Sequence, residues 1–142
     1  MAALAPGKDG TVGGAGVTRL NTPTRLPSPV GDERAVSVSA GVYHSLALAA
    51  DGAVWSWGRG GFGRLGHGDG QAQLLPKKVE ALAERRVVAV SAGGAHSLAI
   101  TADGAVLSWG SGGQGRLGHG DEHGQLLPKQ IQALAGQRVI AV

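Results

Sequence analysis

The chain has 142 residues, room for one ordinary domain. Its 13 Lys and Arg against 10 Asp and Glu give a net charge of +3, spread without any run of five or six like charges. That excludes a nucleic-acid arm or a polybasic membrane patch. Cysteine is absent, which removes disulfides, cysteine-ligated zinc, iron–sulfur clusters and thiol catalysis. No apolar run is long enough to span a bilayer, and Met1–Gly10 lacks the apolar core of a secretory leader. The expectation is an intracellular protein, cytoplasmic or nuclear, with no membrane partner.

The first 20 residues are rich in alanine and glycine without a period, and read as a flexible tail or as the worn end of an earlier repeat. Asn21–Val30 carries Pro23, Pro27 and Pro29 and reads as a connector or an edge segment. Residues 1–35 together form the N-terminal segment. From Val36 the pattern is regular. Residues 39–90 and 91–142 align without gaps at an offset of 52, with 36 of 52 positions identical. Repetition at that length implies stacked supersecondary units, here 36–90 and 91–142.

Within a unit the sequence predicts four strands. Arg86–Val90 is the first and His96–Thr101 the second. Ala102-Asp103-Gly104 makes a tight turn, its Asp-Gly supplying the pair of positive φ angles that a type I′ hairpin needs. Ala105–Trp109 is the third strand, and Lys129–Gln132, after Pro128, is the fourth. Leu98 and Ile100 face one side, with Ser97, Ala99 and Thr101 on the other; Leu107 and Trp109 oppose Val106 and Ser108. Small residues opposite bulky ones do not make a solvent face. They suit sheets stacked on copies of themselves. Lys77–Arg86 is ambiguous: its residues favour helix, yet Gly136 replaces Glu84 in the second copy, leaving either a short strand with a turn or a helical turn.

The stretch Ser56–Asp69 recurs as Ser108–Asp121, with glycine at every second or third position. Glycine at that density signals repeated positive φ or close backbone approach. The motif residues are His44, Trp57, Gly58, Arg64, Gly66 and His67, matched by His96, Trp109, Gly110, Arg116, Gly118 and His119. Together with Ala-Gly-x-x-His-Ser-Leu-Ala at 40–47 and 92–99, and Leu-Leu-Pro-Lys at 74 and 126, they make the chain resemble the regulator of chromosome condensation repeat family. The resemblance covers about residues 36–142. It implies an all-β fold: two tandem four-stranded blades of a normally seven-bladed β-propeller. It also implies an interaction platform, whose members exchange nucleotide on Ran at chromatin, serve HECT ubiquitin ligases, or sense UV-B. Two blades cannot close a ring. The expectation is therefore an incomplete propeller, completed by further blades or by self-association.

Four motifs suggest chemistry, and each has a plainer reading. Gly58–Gly63 and Gly110–Gly115 match a dinucleotide fingerprint, but Arg-Leu-Gly-His-Gly-Asp follows in place of the helix that would hold a pyrophosphate. His119, Asp121, Glu122 and His123 resemble a metal cluster, but the sister repeat keeps only His67 and Asp69, and Asp commonly bonds turn backbone. His44 and His96, beside Ser45 and Ser97, would need a catalytic partner; a pair copied in each unit is better read as a structural hydrogen bond. Trp57 and Trp109 lack the Gly-Trp-Arg-His-Thr motif of the photoreceptor branch. Arg59, Arg64 and Arg116 are read as exposed loop residues that could face a partner. The reading is a non-enzymatic scaffold without metal or cofactor. Its partner would be a protein, such as a small GTPase, a ubiquitin-pathway protein or chromatin. The alternatives are guanine-nucleotide exchange on a Ran-like GTPase, or substrate recognition for a HECT-type ligase.

Overall fold

A computed structural model describes residues 33–142. They form eight strands in two four-stranded antiparallel sheets, each a meander in sequence order. The first sheet holds β1 (Ala35–Ala40), β2 (His44–Ala49), β3 (Val54–Gly58) and β4 (Gln73–Lys78). The second holds β5 (Val87–Ala92), β6 (His96–Thr101), β7 (Val106–Gly110) and β8 (Gln125–Gln130). The chain is thus all-β with two tandem blades. The glycine-rich tail and the proline connector lie outside the described residues, within which no helix is long and apolar enough to cross a membrane.

The tight hairpins differ from the expected type I′ form. Between β2 and β3, Ala49 N–H donates to Ala53 O and Gly52 N–H to Ala49 O, both at 2.9 Å. Only the glycine of the Asp-Gly pair has positive φ, +90° at Gly52 and again at Gly104. The loop therefore has three residues, a type I turn closed by a left-handed glycine. Asp51 instead contributes its side chain, accepting from Ala53 N–H at 3.0 Å.

The fourth strand also starts earlier than expected. β8 begins at Gln125 and contains Pro128, as β4 contains Pro76. Both strands lie at the edge of their sheets. The ladder pairs Gly110 with Gln125, then shifts register before Ser108–Lys129 and Leu107–Gln130. An interrupted edge strand asks no ladder hydrogen bond of its proline. Single 3-10 turns follow, at Glu80–Leu82 and Gln132–Leu134. Lys77–Arg86 is therefore strand up to Lys78 and one helical turn beyond it.

Register decides what each sheet presents. Leu46 lies opposite Ser56 and Leu48 opposite Val54 in the first sheet. Ser97 lies opposite Trp109 and Ala99 opposite Leu107 in the second. Side chains alternate across a strand, so these pairs make two faces, and the faces pack together. Leu46, Leu48, Val54, Val79 and Leu82 share one core with Val87, Ala99, Leu107 and Trp109. Trp109 is 0% exposed and Trp57 is 4% exposed. Burying an indole removes roughly 150–250 Å² from water, about 4–6 kcal/mol at ~25 cal/mol per Å².

The glycine loop of the first sheet closes over this indole. Gly66 has φ +82°, and a Cβ there would lie 2.8 Å from Trp109 Nε1. Gly68 N–H donates to Leu126 O at 3.0 Å, and a Cβ on Gly63 would meet Leu126 Cα at 2.6 Å. The loop needs glycine both to turn left-handed and to admit the next sheet. Its twin in the second sheet shows only the first need: Gly118 has φ +78°, and its nearest neighbour would be Ile131 at 3.4 Å.

That difference makes a paired test. Gly118→Ala is expected to cost about 1–2 kcal/mol, the left-handed penalty alone. Gly66→Ala should cost about 1–3 kcal/mol more, because overpacking against Trp109 is added. Urea midpoints of the two variants measure the gap, and equal midpoints would contradict the packing described.

Candidate interaction surface at the blade seam and loop end

The polar motif residues are organised by the seam between the sheets. Ser97 Oγ donates to Arg64 O at 2.8 Å and lies 2.9 Å from His44 Nε2. Because the hydroxyl hydrogen is committed to the carbonyl, His44 must donate through Nε2–H, leaving Nδ1 bare. The serine–histidine pair is therefore made across the seam, 53 residues apart, and not between sequence neighbours. Ala92 N–H donates to Ser39 Oγ at 3.0 Å, a further bond across the seam. All these groups hold one sheet to the next, and none is left poised as a nucleophile and base.

Within each sheet a second serine–histidine pair braces the glycine loop. Ser56 Oγ donates to Leu65 O at 2.8 Å and lies 2.9 Å from His67 Nε2. Ser108 repeats this with Leu117 O at 2.7 Å and His119 Nε2 at 3.0 Å. These bonds tie the end of β3 or β7 to the loop that carries Gly66 or Gly118.

The three arginines separate. Arg64 is buried, contrary to the expectation of an exposed loop residue. Its Nε donates to Gly61 O at 2.9 Å and its Nη1 to Gly94 O of the second sheet at 3.2 Å. Arg116 keeps the first of these bonds, to Gly113 O at 2.9 Å, and is exposed. Arg59 is exposed, with its guanidinium carbon 5.3 Å from the centroid of the Tyr43 ring.

The remaining motifs have local roles. The last three residues of each glycine fingerprint, Gly61–Gly63 or Gly113–Gly115, form a 3-10 turn, and the next element is a strand, where a dinucleotide site needs a helix. Asp69 accepts from Gln71 N–H and Asp121 from His123 N–H, each at 3.0 Å, which fixes the turns. Among the described residues no group of three or more His, Cys, Asp or Glu could hold a metal ion. Trp57 and Trp109 sit in β3 and β7, and neither indole N–H finds an acceptor among the described residues.

Some surface residues are not singled out by the motifs. Val42, Tyr43 and Phe62 are 65%, 59% and 64% exposed. The signal that finds them is where the two repeats differ: Gly94, Ala95 and Gln114 stand at the matching positions, and Ser111 replaces Arg59.

His44 gives the seam a pH dependence. Burial, chiefly, and then the charge of Arg64 lower its pKa from 6.5 to about 4. A second proton would sit on Nδ1, which has no acceptor, beside an arginine. Burial also lowers His67 and His96. A lowered folded-state pKa means that the unfolded chain binds more protons. The stability is thus complete above pH 6.5 and falls as pH drops towards 4. Between pH 7.5 and 5 the loss from His44 should be about 2 kcal/mol. His44→Gln, which keeps the distal N–H, should flatten that part of the urea-midpoint profile; an unchanged slope would contradict the assignment.

This geometry is shared with known proteins. The profile of the "Regulator of chromosome condensation (RCC1) repeat" matches residues 51–100 and 103–142, and a second profile with the same description matches 35–64 and 87–116. The chain is 44% identical over 137 residues to the mouse E3 ubiquitin-protein ligase HERC2, covering 96% of this chain and 3% of that protein. It is 36% identical over 142 residues to the Arabidopsis thaliana "RCC1 domain-containing protein RUG3, mitochondrial", covering 98% of this chain and 30% of that one. Among solved structures, Prp20p of Saccharomyces cerevisiae superimposes with a TM-score of 0.67 at 31% identity, over 83% of this chain and 30% of its own. Each of these relatives is thus matched over less than a third of its length. Repeat, blades and seam together place the chain in the regulator of chromosome condensation repeat family.

Proposed function

We propose that the chain is a non-catalytic protein-interaction module, two blades of a larger propeller, which presents its loops to a protein partner inside the cell. One observation carries this reading. The serine and histidine side chains that could resemble a catalytic pair are committed to structural bonds: His44 and Ser97 across the seam, beside the Arg64–Gly94 bond, and Ser56 and His67 within the first sheet. Among the exposed side chains, Val42, Tyr43, Arg59 and Phe62 belong to loops, where propellers bind. Further blades are supported by the loop Gly113–Gly120. Arg64 and Gly66 are buried under the second sheet, whereas their twins Arg116 and Gly118 are exposed. Leu126 and Leu127 are about half exposed beside the first sheet's loop, while the matching Leu74 and Leu75 are 93% and 76% exposed.

A second reading, a recognition module of a ubiquitin ligase, is favoured by the identity with HERC2. It predicts that the chain, expressed alone, competes with the parent ligase and lengthens the half-life of the protein it binds. An unchanged half-life speaks against it. The third reading, exchange on a Ran-like GTPase, follows from the likeness to yeast Prp20p, which has binding properties to Gsp1p and histones. The test is release of fluorescent GDP from Ran. Adding the chain is expected to leave the rate unchanged, and about tenfold acceleration or more would replace the scaffold reading with exchange.

A further inference from the structure

We infer that Val42, Tyr43, Arg59 and Phe62 form a docking patch for an extended acidic peptide that places an apolar side chain beside a carboxylate. The inference deepens the interaction-module reading and rests on it. All four residues sit in the loops joining β1 to β2 and β3 to β4, at one end of the first sheet. The two loops are tied together: Arg59 N–H donates to Tyr43 O at 2.9 Å, and the Arg59 guanidinium lies over the Tyr43 ring. On the other side, the guanidinium carbon of Arg64 lies 5.9 Å from the centroid of the Phe62 ring, and Arg64 reaches Gly94 O. A Cβ on Gly94 would be 3.9 Å from Val42 Cγ2, which brings Val42 to the same rim.

The fold does not require these side chains. Phe62 holds a left-handed backbone, φ +62°, where a non-glycine residue is strained. Gln114 holds the same backbone in the second sheet, φ +61°, without a ring. At all four positions the repeats differ, although 36 of 52 positions are identical. Three large apolar side chains stand mostly in water at no benefit to the core. Aromatic and arginine side chains clustered this way are the composition of an interface centre.

Charge selects the occupant. The loops 41–43, 59–66 and 93–95 contain no Asp or Glu, and Arg59 has no carboxylate partner among the described residues. Arg59 thus presents an exposed positive charge at the edge of an apolar centre, with the buried Arg64 adding its charge beside Phe62. A carboxylate on the partner would meet Arg59 in a charge-assisted bond, and its apolar neighbour would cover Tyr43 and Phe62.

The test uses the full chain as bait for a displayed random-peptide library, followed by anisotropy of the fluorescein-labelled consensus peptide. The consensus should pair Asp or Glu with Leu, Phe or Trp. The replacements Val42→Gly, Tyr43→Ala, Arg59→Ser and Phe62→Gln carry the second sheet's own residues, so the melting temperature should hold. Affinity should fall about tenfold or more. Peptides that bind the fourfold variant equally well overturn the patch while leaving the module reading in place. A consensus without acidic residues overturns the choice of occupant. Since aromatic and arginine side chains also stack bases, an oligothymidine that binds more tightly than the peptide, and loses that binding in the variant, overturns it as well.

Discussion

The structure depends on one contact: the indole of Trp109 pressed between the leucine face of the first sheet and the bare backbone of Gly66. Each sheet carries two unlike faces. One bears tryptophan among small residues, Ser97 and Ala99; the other bears Leu46, Leu48 and Val54. Neither face can be left in water at the usual value of apolar burial. They are complementary, so the stable arrangement is a stack in which each sheet covers its neighbour. A repeat built this way keeps only a small core of its own, such as Ile100, Val106 and Ile131, and buries its larger face against a neighbour, so the 52-residue unit occurs in tandem.

Polar groups follow from that stack. Burying a serine or histidine costs free energy unless it is hydrogen-bonded. The seam meets that demand with a relay: His44 donates to Ser97, and Ser97 donates to the carbonyl of Arg64. The side chain of Arg64 in turn crosses to Gly94. These bonds fix how one blade sits on the next with a directionality that apolar contact lacks. The same relay ties blade packing to the neutral state of a histidine. The stack fixes where the loops stand, while the loops themselves differ between repeats at positions such as 43 and 62.

Much of this was legible in the residues. The repeat, the second strand at His96–Thr101 and the buried tryptophans follow from periodicity and alternation. Local rules failed where the answer lies elsewhere in space. The Asp-Gly pairs read by composition as two positive-φ residues, but only Gly52 and Gly104 turn left-handed, and the Asp51 side chain caps its loop instead. Pro128 reads as a strand boundary, yet the ladder skips the residues around it on an edge strand. Arg64 reads as a solvated loop residue because its partner, the carbonyl of Gly94, lies 30 residues away on another sheet. Exposure of Tyr43 and Phe62 could be suspected only from the mismatch between repeats, since a lone aromatic in a loop carries no face of its own.

The two sheets meet face to face through Trp109 and Gly66. Nuclear Overhauser contacts between the Gly66 α-protons and the Trp109 indole N–H test this most directly. Strong cross-peaks are expected, with Gly66 α-protons displaced by the ring current and an indole proton slow to exchange with solvent. Sheets that fold but show no such cross-peaks, with a rapidly exchanging indole proton, would contradict it.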